Sequence, residues 1–262
     1  MVPYNIDAAA WQESWDRQQA AFLPDREERF GSLLDTVEAA TGGHPLTILD
    51  LAGGTGSISL RALRRFPRVN TTLVDVDPVL LAIARASLDE RSAIVTADLR
   101  RPDWTDALPH HDYDAVLTAT ALHWLDRDRL AALYGEIRQV LRPGGVVINV
   151  DHMPDEGLPT LTEKMGDRER MLRTARYATG AVLSWEAWWD HVAKDPTLGP
   201  LVEQRRKVFA PGGHSSSEDA QVTWHLHALR EAGFSEVGIT WRGARDAAVT
   251  GFKTVEPSPA RS

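Results

Sequence analysis

Along the first forty residues apolar positions recur at helical spacing. Trp11 and Trp15 lie one turn apart, and beyond Pro24 the series Phe30, Leu33, Leu34 and Val37 keeps the same period. Two amphipathic helices are predicted there, and Thr41-Gly42-Gly43-His44-Pro45 ends the second. The pattern then changes. Residues 46–51 (LTILDL) form a short apolar run that reads as a buried strand. A glycine-rich turn follows, and Ile58, Leu60, Ala62, Leu63 and Phe66 mark a helix from Ser57 that Pro67 stops. A second unit repeats the scheme: residues 70–75 (NTTLVD) as a strand, Asp77 as cap, Pro78 in the first turn, and a helix over 79–88. Residues 92–97 and 113–119 (YDAVLTA) read as the third and fourth strands, with a polar, proline-punctuated loop over 100–112 between them. Asp126 is placed to cap a helix carrying Leu130, Leu133, Tyr134, Ile137, Val140 and Leu141. Pro143-Gly144-Gly145 separates this helix from a fifth strand over 146–150.

Strands alternating with helical or loop crossovers imply a parallel sheet covered on both faces, with ligands at the carboxyl ends of the strands. From Met153 to His214 the alternation stops, Trp185, Trp188 and Trp189 cluster, and Pro211 to Ser217 (PGGHSSS) reads as a joint. This predicts an inserted helical lid. Ser217 then caps a helix ending near Gly233, and residues 236–241 and 247–252 read as a closing hairpin. The expected organisation is a helical cap over 1–45, a ligand-binding core over 46–152, the lid over 153–216, the rest of the core over 217–255 and a disordered tail over 256–262.

Composition narrows the chemistry. A chain of 262 residues, 43% hydrophobic, can bury one large core. A net charge of −8 argues against a sequence-independent grip on nucleic acid, and the absence of cysteine excludes thiolate metal sites, disulfides and a cysteine nucleophile. No apolar run approaches the ~18 residues of a membrane span, and the first residues carry no signal-peptide pattern. The expectation is a soluble cytoplasmic protein, a monomer or homodimer, without nucleic-acid or membrane partners.

The glycine turn, ILDLAGGTGS over residues 48–57, is the candidate ligand loop. A mononucleotide P-loop needs a lysine after its last glycine, and Gly56 is followed by Ser57-Ile58. A dinucleotide fingerprint started at Gly54 and Gly56 meets Ser59 at its third position. The pattern that fits is an acidic residue followed by alternating small residues: Asp50, Ala52, Gly54 and Gly56. In this the chain resembles the class I S-adenosylmethionine-dependent methyltransferases. The resemblance extends through VDVDP at the second strand, TADL at the third and LRPGGVVINVD around the fifth, with Ala52 departing from the commoner glycine. LAGGTG is also similar to the loop of quinone-biosynthesis C-methyltransferases, and ALHWL to small-molecule methyltransferases of the trans-aconitate type.

The resemblance implies a three-layer α/β sandwich whose mostly parallel seven-stranded sheet has the order 3-2-1-4-5-7-6, the last strand antiparallel. It implies S-adenosylmethionine as cofactor and S-adenosylhomocysteine as product. Asp50, Ala52, Gly53, Gly54 and Gly56 would then shape the methionine end. Asp75 would accept from the ribose hydroxyls, Val76 would pack on adenine, Asp98 and the Leu99 N–H would meet the adenine edge, and Thr118 would line the methionine portion. Trp15 and Arg26 are candidates to close over the cofactor. His123 and His152 are candidate bases, and Trp124, Trp185 and Trp188 candidate acceptor walls. No paired acidic metal site is visible, so no metal is expected. His225 and His227 point to different faces of one predicted helix and read as packing or surface residues. The leading function is methyl transfer to an O, N or C nucleophile of a small molecule, in secondary metabolism. The alternatives are a nicotinamide-dependent oxidoreductase, or a cofactor-binding relative that transfers no methyl.

Overall fold

In strand β1 (Thr47–Leu51) Ile48, Leu49 and Leu51 are all fully buried, as a strand flanked by helices on both faces requires. A computed structural model describes residues 5–209 and 220–254. Around β1 lie β2 (Asn70–Asp75), β3 (Ser92–Thr96), β4 (Tyr113–Ala119), β5 (Leu141–His152), β6 (Glu236–Arg242) and β7 (Asp246–Phe252). They form one seven-stranded sheet, β3-β2-β1-β4-β5-β7-β6, parallel from β3 to β5, with β7 antiparallel to both its neighbours. The order that the motifs imply is the order found.

One face is covered by α2 (Arg26–Thr41), α3 (Ser57–Arg65) and α4 (Pro78–Ser87). Phe30, Leu33, Leu34 and Val37 of α2 share a core with Ile48, Leu117 and Ile148. The other face packs against α5 (Arg127–Val140) and α9 (Val222–Glu231). The capping acids act as expected: Asp77 accepts from the Val79 and Leu80 amides, and Asp126 from the Arg129 amide at 2.8 Å. A further layer stands outside α4, made by α1 (Ala8–Phe22), α7 (Trp185–Val192) and α8 (Gly199–Val208), with Trp11, Trp15, Trp188, Val192 and Leu201 packed on Val79, Leu80 and Ile83. Between β5 and α7 runs α6 (Pro159–Ala178), which buries only Thr162 and Gly166.

Two local expectations change, and others fall outside the described residues. The fifth strand starts at Leu141, paired with Tyr113, and Pro143-Gly144-Gly145 forms an irregularity within it. Gly144 supplies the positive φ of 78° that this bulge requires. The loop over 100–112 contains a 3₁₀ turn, Pro102–Ala107, which buries Trp104 against α5. The joint over 211–217, the Ser217 cap and the tail over 256–262 lie outside the described residues, and α9 begins after Gln221.

Candidate active site

The carboxyl ends of β1 to β5 open into one cavity of about 870 Å³, bounded on the far side by α1, α2, α7 and α8. At its centre is the glycine turn. Asp50 is fully buried beneath it, where its Oδ2 accepts from the Ser59 amide and hydroxyl at 3.0 and 2.7 Å. A Cβ at Gly53 would lie 2.7 Å from Asp50 Cγ and 2.8 Å from Leu73 Cγ, so only glycine lets the turn close over that carboxylate. Ala52, Gly54 and Gly56 take φ values of 53°, 56° and 85°. Ala52 thus sits in a left-handed conformation that glycine would adopt without strain.

Asp75 ends β2 with both carboxylate oxygens held. Oδ2 accepts from the Gly54 amide at 2.8 Å, and Oδ1 accepts from the Val76 and Asp77 amides at 2.7 and 2.8 Å. A carboxylate has about four acceptor sites, so these three bonds leave Oδ2 one for a ligand hydroxyl. Burial pushes Asp75 up to about 6 despite those bonds, and burial does the same to Asp50 against the bonds from Ser59. Val76, Asp98 and Leu99 also line the cavity. Asp98 receives Nε and Nη2 of Arg100, and burial, which would raise it, is outweighed by that arginine.

From the far side α1 and α2 converge on Ser57, the first residue of α3. Its hydroxyl donates to Asp16 at 2.8 Å and accepts from Arg26 Nη2 at 2.7 Å, while Arg26 Nη1 pairs with Asp16 at 2.7 Å. Arg26 and Trp15 both line the cavity over the glycine turn.

At the β4 and β5 end stand two histidines, their rings 5.4 Å apart. His123 Nδ1 lies 2.7 Å from Asp151 Oδ1, and Asp151 also accepts from the His123 and His152 amides. Burial would raise Asp151, but His123 and then His152 bring it down to about 2. His152 Nδ1 lies 2.5 Å from Asp246 Oδ1, and Asp246 Oδ2 takes Arg29 Nη2 at 2.6 Å. Burial raises Asp246 too, and is outweighed by His152 and Arg29. Each carboxylate fixes the proton on Nδ1, which places the lone pair of the neutral ring on Nε2. Phe22, Trp124 and Leu125 complete this end of the cavity.

Most of the expected residues meet at the cavity, Trp124 and Trp185 among them. Three do not. Gly56 is a packing position, where a Cβ would come within 2.9 Å of Leu88 Cδ1. Thr118 is fully buried within β4, and Ala119, Thr120 and Ala121 line the cavity in its place. Trp188 is fully buried against Trp11 and Trp15 with its Nε1 on Ser14 Oγ, so it supports the wall without forming it. His225 is buried with Nδ1 on the Tyr134 hydroxyl. The positioning partners Asp246, Arg29 and Asp16 were not foreseen. Asp151, which ends the motif around the fifth strand, was not foreseen as a partner of His123 either.

A glycine turn over a buried acid, a carboxylate on backbone amides at the end of β2, and apolar Val76, Leu80 and Leu99 beside it fit an elongated nucleoside with a polar tail. Residues 48–145 match the family model described as "Methyltransferase domain". Over 202 residues the chain is 30% identical to a ubiquinone/menaquinone biosynthesis C-methyltransferase of Methylobacterium nodulans, covering 76% of this chain and 74% of that one. The chain belongs to the class I S-adenosylmethionine-dependent methyltransferases. The chain is also 34% identical over 116 residues to an uncharacterized methyltransferase of Mycobacterium bovis, 44% of either chain, so it spans less than half of that relative. Its fold matches human N-acetylserotonin methyltransferase in complex with S-adenosylmethionine (TM-score 0.56, 17% identity, 97% of this chain and 61% of that one). It also matches an O-methyltransferase-like protein of Nostoc punctiforme (0.56, 16%, 94% and 58%). The family's cofactor is S-adenosylmethionine, and the nicotinamide reading gives way to it.

Proposed function

We propose that this methyltransferase acts on a small, largely apolar molecule bearing an ionisable hydroxyl, in a secondary biosynthetic route. The observation that supports this reading most is the pair of carboxylate-anchored histidines at one end of a cavity that also takes in the glycine turn and Asp75. When bound, the cofactor supplies an activated methyl group. The chain's own task is then to hold the acceptor in line, keep water away and take the hydroxyl proton. Holding two reactants at near-attack distance is worth ~7 kcal/mol or more in favourable cases, and Phe22, Trp124 and Leu125 provide an apolar wall for it. His123 is assigned as the base: Nε2 takes the proton, and Asp151 steadies the resulting imidazolium through Nδ1. His152, fixed by Asp246, orients the same hydroxyl. A phenolate is nucleophilic at oxygen and at ring carbon, so this base also suits the C-methyl chemistry named for the Methylobacterium relative.

The test is transfer of labelled methyl from S-adenosylmethionine to a panel of phenols, alcohols, amines and carboxylates, with products located by mass spectrometry. Transfer to hydroxyl acceptors is expected, with His123→Gln lowering turnover by ~10²-fold or more while leaving S-adenosylhomocysteine affinity unchanged. Transfer confined to amines or carboxylates, with His123→Gln fully active, would sink the assignment. Cofactor binding without transfer to any member would favour a relative that has lost methyl transfer.

A further inference from the structure

The cavity runs along the sheet edge from β3 to β5, so its two ends have different occupants. The histidines mark the β5 end as the place of the reacting methyl. The nucleoside half of the cofactor therefore lies toward β2 and β3, where Asp75, Val76 and Asp98 face the space. The loops of the sheet do not close that end by themselves. Arg205 on α8 and Phe209 just beyond it line the cavity beside Asp77 and Leu80.

This contact is a built one. Arg205 Nε lies 2.6 Å from Asp77 Oδ2, and the Asp77 side chain is 3% exposed. Asp77 caps α4 with its other oxygen, so a single carboxylate ties the inserted helix to the element that follows β2. Burial works against the Asp77 charge, and Arg205 is the largest influence opposing it. The Arg205 guanidinium also lies over two rings, 3.9 Å from the centroid of Trp189 and 4.8 Å from that of Phe209. A second tie runs from the loop after β3: Arg100 grips Asp98 with Nε and donates from Nη2 to the Val208 carbonyl at 3.3 Å.

We propose that Phe209 is a cofactor-binding residue, its ring forming the outer wall of the nucleoside subsite, and that Arg205, anchored on Asp77, is its positioning residue, its guanidinium lying over that ring. The insertion expected to serve the acceptor thus serves the cofactor through α8. Acceptor recognition then falls to the β4 and β5 end with α1 and α2.

The test is S-adenosylhomocysteine binding to the whole chain by calorimetry, with dissociation followed by stopped-flow tryptophan fluorescence. Phe209→Ala is expected to weaken binding and speed dissociation by ~10-fold, the scale of one lost aromatic wall in a desolvated site. Arg205→Ala should do the same, but it strands the buried Asp77 charge. The informative partner is therefore Arg205→Ala combined with Asp77→Asn, since asparagine caps a helix as well as aspartate does. A loss of ~10-fold that persists in the double variant, with the unliganded melting midpoint restored, supports the assignment. Affinity within about twofold of wild type in Phe209→Ala overturns it, as does a loss confined to Arg205→Ala and recovered in the double variant. Failure of the wild-type chain to bind would count against the cofactor itself, which separates the two questions.

Discussion

At Asp75, three backbone amides of the turn and of the next loop are spent on one side chain. Asparagine there would set an NH₂ against at least one of those N–H groups. Asp75→Asn is expected to destabilise the turn and, by turning its NH₂ toward the ligand hydroxyl or the Gly54 amide, to weaken S-adenosylhomocysteine by ~10-fold or more, the scale of one lost hydrogen bond to a charged group. Calorimetry showing unchanged affinity would remove Asp75 from the cofactor site. The neighbouring Asp50 allows a pH test. In the folded chain Asp50 and Asp75 titrate near 6, above the ~3.9 of an unfolded aspartate. Their contribution to stability is therefore full below about pH 4 and is lost as pH rises through 6. Asp50→Asn removes one of these losses, so the melting midpoint of variant minus wild type should shift toward the variant between about pH 4 and pH 6. A pH-independent difference would contradict the buried charge. Asp151, brought down to about 2, acts in the opposite sense: its contribution is present above about pH 4 and lost as pH falls toward 2. The histidine pairings were beyond sequence reading, because the partners lie 28 and 94 residues away and meet only once β4, β5 and β7 are aligned.

Among the elements, legibility followed burial. β1, β2 and β4 and their helices were readable because each buries an apolar run or stripe between glycine, proline or capping punctuation, and the half-buried β3 at the sheet edge because Ala93, Ile94 and Val95 form a short apolar run. The start of β5 was not, since Pro143-Gly144-Gly145 looks like a terminator and becomes a bulge only against Tyr113 and Lys253. α6 has almost no buried face, with Leu161 and Met171 exposed, so its sequence carries no period to read. The tryptophans of α7 were visible as a cluster, but which of them faces the ligand depends on the angle at which α1 crosses α4. Trp188 went inward and Trp185 to the cavity. Trp188→Ala is expected to cost about 3–5 kcal/mol, as for other buried aromatics. Because the loss falls on the layer formed by α1, α7 and α8, limited proteolysis of that layer should accelerate ahead of global unfolding. Cleavage kinetics equal to those of wild type would show that Trp188 does not hold it.

For the molecule as a whole, the cavity draws on both the sheet and the outer helices, so a ligand that spans it binds the folded chain alone. S-adenosylhomocysteine at ~100 times its Kd is expected to add about 2.7 kcal/mol, seen as a rise of several degrees in melting midpoint. No shift would mean that the cavity is not the cofactor's. The two histidines have a different kind of attachment. His123 follows β4 and leans on Asp151 of β5, while His152 of β5 leans on Asp246 of β7, which leans on Arg29 of α2. These side chains run crosswise to the strands like a strap over four elements, each link holding the next. For anyone diversifying this chain, the strap sets where crossovers can fall. A recombination point between β5 and β7, or between α2 and the sheet, would part a histidine from its anchor. The stretch from α6 to α8 contributes nothing to the strap, so a cassette exchanged there leaves both histidines anchored, provided that it keeps Arg205 for the buried Asp77 and Trp188 for the outer layer.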